Sequence, residues 1–260
     1  MARVKPALTP CLPCLTITFQ SELPTGPGMA HNTGNSVASK VTRLMLCLAP
    51  LFPFADPAHA GAWPRDKGSG FISAASRVVA SSWEGPYGVY STTYLEYGLG
   101  HRVTAGFDIG HAISGTGKAI FFLRKSLPET DGGHVFAGEL GLGQIAGAPA
   151  IRPGLSYGRG FILRGGGSGW LSLESVAEIW LNSGQTDFKA DFTVGFNHGE
   201  KFKTILQLQT GVPHGDPAFI RAAPSVVVKM GKTSHLELGL TAGITGDDSY
   251  GLKLGFWRKF

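Results

Sequence analysis

Carboxylates spaced four residues apart are the first candidates for chemistry in this chain: Glu174 with Glu178, and Asp187 with Asp191. Two acids held on one surface can share a proton or hold a cation, and a strand's period of two puts both members of each pair on one face. Lys189, Lys203 and Arg221 on neighbouring strands compete for them, so charge pairing is the expected outcome. Histidine offers less. His111, His134, His198, His214 and His235 show no ligand spacing, and His111-Ala112-Ile113-Ser114 sets a base and a hydroxyl at i and i+3, on opposite sides of a strand. Cys11-Leu12-Pro13-Cys14 has redox or zinc spacing but no second ligand pair. Gly141-Leu142-Gly143-Gln144-Ile145-Ala146 matches a dinucleotide fingerprint in letters only, because no helix follows it; small residues that let strands pack or bend are the better account. No catalytic residue, metal or cofactor is expected.

The elements that carry these residues alternate. From Asp187 to Asn197 the apolar residues Phe188, Ala190, Phe192, Val194 and Phe196 interleave with polar ones, a period of two that only a strand produces. Stretches 102–110 and 235–243 repeat the pattern. Twelve strands are expected, over 71–80, 89–99, 102–111, 118–125, 134–145, 151–161, 170–182, 187–197, 201–211, 218–230, 235–243 and 250–260. Gly- and Asn-rich turns too short for a crossover helix join them, so neighbours must run antiparallel. Pro153 and Pro224 fall inside two of these strands and are expected to mark bulges or wall ends. Lys118 to Lys125 is apolar on both faces and its register stays open.

Charge is sparse, 16% of residues, and mean hydropathy is +0.07. Outside the first sixty residues there are 19 basic and 16 acidic side chains with no Lys/Arg cluster, which argues against nucleic-acid binding. Lys40 and Arg43, the apolar run Leu44 to Phe54, and Ala58-His59-Ala60 have the layout of a secretory signal, giving a mature chain from Gly61. Residues 1–39 read as a disordered extension with Met29 or Met45 as alternative starts, 40–60 as the signal peptide, 61–70 as a periplasmic leader and 71–260 as the barrel. All three cysteines fall before Gly61.

The polar faces hold eight basic and eight acidic residues: Arg77, Glu96, Arg102, Asp108, Glu139, Arg152, Glu174, Glu178, Asp187, Lys189, Asp191, Lys203, Arg221, Lys229, Glu237 and Lys253. In a membrane barrel these line the lumen, while Phe107, Phe188, Phe192, Phe196, Leu238 and Leu254 face lipid. A soluble sandwich with the polar face outward is the alternative. Trp83, Trp170, Trp180, Tyr90, Tyr97, Tyr157 and Phe196 lie near strand ends, as interfacial girdles require. The terminus, Leu252 to Phe260, resembles that of bacterial outer-membrane β-barrel proteins. Lys253, Gly255 and Phe260 match their assembly signal, although Arg258 stands where an apolar residue is usual.

That resemblance implies an antiparallel up-and-down transmembrane β-barrel, all-β, in the outer membrane of a Gram-negative bacterium. Membrane lipid and the outer-membrane assembly machinery would be its partners. The function expected is a passive channel or transport-related barrel with a mixed-charge lumen. A closed structural barrel is the alternative, and a lipid-modifying enzyme is less favoured, because no His here is followed two residues later by Ser, as in the outer-membrane phospholipases. Neither an enzymatic role nor a nucleic-acid partner is expected.

Overall fold

A computed structural model describes residues 61–82 and 84–260. The extension, the signal peptide with its cleavage site, the cysteines and Trp83 lie outside the described residues.

Alternation becomes a wall. The strands are β1 (Gly70–Ala80), β2 (Tyr87–Gly100), β3 (Val103–Ala112), β4 (Gly117–Ser126), β5 (His134–Ile145), β6 (Ala148–Ile162), β7 (Ser168–Trp180), β8 (Thr186–His198), β9 (Phe202–Val212), β10 (Phe219–Ala222), β11 (Ser225–Lys229), β12 (Ser234–Thr245) and β13 (Tyr250–Lys259). Each pairs antiparallel with its neighbours, and β1 pairs with β13 from Phe71↔Lys259 to Ala80↔Tyr250, so the sheet closes on itself. Closure leaves no unpaired edge. Strands β10 and β11 are two halves of one stave, both lying between β9 and β12, so the ring has twelve staves.

The stave expected as one strand over 218–230 is broken at Ala223-Pro224, because proline has no N–H to give to the ladder. Pro153 does less damage: β6 continues through it, while Arg152 and Pro153 drop out of the pairing with β7 and the register on either side is unchanged. The open register of 118–125 resolves with Lys118, Ile120, Phe122 and Arg124 inward and Phe121 and Leu123 outward. Ile145-Ala146-Gly147-Ala148 shows how tight the turns are. Ala146 (φ 51°) and Gly147 (φ 80°) are both left-handed, as a two-residue hairpin of this twist demands.

The outside is apolar. Phe188, Leu238 and Leu254 are 57, 53 and 56% exposed, Phe107 is 45% and Phe192 39%. Val78, Phe121, Leu140, Leu155, Leu173 and Leu206 extend this belt around the staves. A continuous apolar surface of this extent belongs in hydrocarbon, not water, and the unbroken strands, 10 to 15 residues long, meet the roughly 9 to 11 needed to span it. Phe196 shares this face, half-buried with its ring edge against Phe161 at 5.9 Å. The chain forms a transmembrane β-barrel. The end carrying Gly70 and Phe260 is called basal below and the other distal.

Candidate functional site

A spine of alternating charge climbs the lumen. At its base Arg65 contacts Glu96 (2.6 Å), which also accepts from Arg124 (2.6 Å). Arg124 goes on to Glu139 (3.0 Å), and Glu139 accepts from Arg152 (2.9 Å). Arg152 and Lys118 meet on Asp108, the latter at 2.6 Å. Lys118 then reaches Glu178 at 3.5 Å, and Lys189 caps Glu178 from β8. Nine side chains thus alternate in sign, Arg65 from the leader and eight from β2 to β8. Buried pairs of this kind roughly break even against their desolvation, but each charge in the series is costly to strand.

Aromatic and backbone groups hold the spine in place. Tyr94 donates to Glu96 (2.9 Å) and its ring stacks on Phe122 at 5.5 Å, while the guanidinium carbons of Arg124 and Arg152 lie 5.1 and 5.7 Å from the Phe122 centroid. Phe122 can point inward only because Gly106 faces it: a Cβ there would come within 2.2 Å of the ring. The same device admits Trp170, 2% exposed and set against Gly195. Tyr90 and Trp170, expected in interfacial girdles, therefore line the interior cavities instead, whereas Tyr97 is exposed at the basal end. Tyr157 donates or accepts with His134 Nδ1 at 2.8 Å.

The leader, expected outside the barrel, enters it. Ala62 is fully buried and Trp63 is 9% exposed, packed in a cluster with Val135, Ala137, Trp170, Ile205 and Val227. Trp63 fits over Gly158, where a Cβ would lie 2.5 Å from its ring. Arg124 donates to the Gly61 carbonyl and Ser126 to that of Ala62, each at 2.6 Å. Apolar content at 61–63 thus finds a small dry core at the basal end.

Among the described residues two cavities lie beside the spine. The distal one, about 440 Å³, is bounded by Arg77, Asp108, Lys118, Glu139, Arg152, Glu178, Lys189, Asp191 and Arg221. The basal one, about 570 Å³, is bounded by Arg65, Lys203, Lys229, Lys253, Glu96 and Glu237. Glu174 lines both, as do Ala75, Thr92, Tyr94, Ala223 and Lys253, so the two abut. Asp187, at the distal rim, accepts from the His214 backbone N–H at 2.7 Å. Arg102 is not on the wall. It occupies the β2–β3 turn with φ 62°, donating to the Leu127 carbonyl at 2.7 Å, because the turn falls one residue further along the chain than the alternation suggested.

Of the carboxylates spaced at i and i+4, one takes the cation partner expected from a neighbouring strand and one does not. Glu178 is neutralised by Lys118 and Lys189, and Glu174 instead stands directly opposite Asp191 across β7 and β8. In the distal loop, burial opposes the charge on Asp247, but hydrogen bonds from Ser249 and Arg221 outweigh it and hold the carboxyl below its usual range. Lys253 bonds Glu237 at 2.8 Å, with Trp257 Nε1 on the second oxygen at 3.1 Å. Gly255 leaves room for that carboxylate, and Phe260 closes the seam through paired backbone bonds with Gly70 at 2.6 and 3.0 Å. Ser114 Oγ pairs with Thr116 at 3.3 Å. Among the described residues no three His, Cys, Asp or Glu side chains converge as a metal site.

By sequence, no protein-family model and no curated protein matches the chain. By structure, it resembles the KdgM porin solved in complex with disordered oligogalacturonate (TM-score 0.56, 8% identity, 73% of this chain and 99% of that one). The NanC porin is equally similar (0.56, 8%, 73% and 100%). An outer-membrane channel from Pseudomonas putida F1 follows (0.52, 9%, 79% and 99%). The fold is that of small outer-membrane porins. At these identities the likeness establishes architecture, with no residue of the lumen carried across.

Proposed function

We propose that this chain is exported through its N-terminal signal, assembled in the outer membrane of a Gram-negative bacterium through its Lys253, Gly255 and Phe260 terminus, and works there as a passive, non-enzymatic channel for small solutes. The observation that carries this reading is the abutment of the two cavities along Ala75, Thr92, Tyr94, Glu174, Ala223 and Lys253, a polar route beside the spine. Basic side chains outnumber acidic ones around the basal cavity, seven to four, which favours anions weakly. The neighbour solved with oligogalacturonate makes an acidic saccharide a reasonable passenger to try. Planar-bilayer recording tests the proposal: steady, small open steps with modest anion preference are expected. Persistent silence of folded protein would favour the closed structural barrel, for which the nine-member spine and the buried Trp63 are the supporting observations.

A further inference from the structure

Glu174 is a lumen carboxylate that the spine leaves out. It takes part in no ion pair among the described residues, and Asp191, directly opposite, adds a second carboxylate to the same surface. Arg124 acts on it without forming a salt bridge, being already shared by Glu96 and Glu139, and Lys253 is held by Glu237. What lies against Glu174 is Gly61. A Cβ on Gly61 would fall 2.6 Å from Glu174 Oε1, so the carboxylate lies over the Gly61 backbone, and a side chain there would have to push it aside as well as adopt φ 70°. The contact is fixed from the other side by Arg124 on the Gly61 carbonyl, Ser126 on the Ala62 carbonyl and Trp63 over Gly158.

We propose that the α-ammonium group created at Gly61 when the signal peptide is cut is the counter-ion of Glu174, so that maturation itself sets the internal latch of the leader. Hydrolysis of the Ala60–Gly61 peptide bond adds water, leaving a carboxylate on Ala60 and an ammonium on Gly61. The nitrogen is bonded to the same Cα that rests on Glu174, so the new charge appears beside that acid. Before the cut that nitrogen is a neutral amide and the site holds net negative charge. The latch rests on the export reading above, specifically on cleavage after Ala60, but not on whether the lumen conducts.

The test uses barrel purified from the outer membrane. N-terminal mass spectrometry should find Gly61 first; any other mature start overturns the latch and leaves the channel reading standing. Acetylation by a succinimidyl ester is then followed at the Gly61 α-amine, with exposed Lys67 as internal reference. In the folded barrel the α-amine should react about tenfold more slowly, relative to Lys67, than in urea, and Glu174→Gln should raise the folded rate by about tenfold, because the neutral amine is no longer suppressed by a carboxylate contact. An unchanged rate in Glu174→Gln that retains heat-modifiable gel mobility would overturn the ion pair. Should that variant not fold, the wild-type rate is followed against pH, because burial alone lowers the titration midpoint of an amine and a carboxylate partner raises it: a midpoint above that in urea supports the pair, and one at or below it rejects the proposal.

Discussion

Arg124 is the residue on which the lumen's charge balance turns. Its side chain is 2% exposed and bridges Glu96 and Glu139, each of which keeps a second cation, Arg65 or Arg152. Arg124→Met preserves most of the volume over Phe122 but leaves two buried carboxylates half-compensated. A loss near the low end of the usual range, about 3 kcal/mol, is expected in urea unfolding from lipid vesicles. Adding Glu96→Gln and Glu139→Gln should return part of that loss, and a single variant as stable as wild type would show that the spine is only decorative. At this scale the sequence was informative about which residues ionise and uninformative about who meets whom. Glu174 stands opposite Asp191 and Glu178 opposite Asp187 because cross-strand register decides which residues meet.

At the scale of elements, strands were legible wherever one face meets hydrocarbon and the other does not, as in β3, β8 and β12. Strand β4 was opaque because Ile120 and Phe122 are as apolar as Phe121 and Leu123; what admits them inside is space opposite, at Gly106 for Phe122. An inward-phase glycine facing an aromatic is the signal that would have found them. The leader escaped sequence reasoning for a related reason: three residues with Trp63 among them have no periodicity to read. Trp63→Ala should empty the notch over Gly158, lower stability by about 3 kcal/mol and widen the basal route. Unfolding in urea and unit conductance in bilayers check the two halves of that expectation. A less stable barrel with unaltered conductance would place the leader beside the route instead of in it.

For the molecule as a whole, the decisive property is that twelve staves make a ring with apolar outside and ionised inside. Membrane placement and a hollow interior both come from that arrangement, and neither depends on any one side chain. The same architecture explains why composition alone could go no further: mixed charge at near balance is compatible with an open passage or with a filled one, and only register and the leader's path separate them.

Pairing of the first stave with the last carries one more consequence. Phe260 and Gly70 exchange backbone bonds at the very join, so a cylinder missing its final stave is not a slightly smaller cylinder. Two rows of bare amides would face hydrocarbon, at several kcal/mol for each group left without a partner. Chains stopped before Tyr250 should therefore accumulate as protease-sensitive material that never gains heat-modifiable mobility, whereas loss of residues from a distal turn should be tolerated. Insertion is all-or-nothing, and the ten residues of β13 hold the veto.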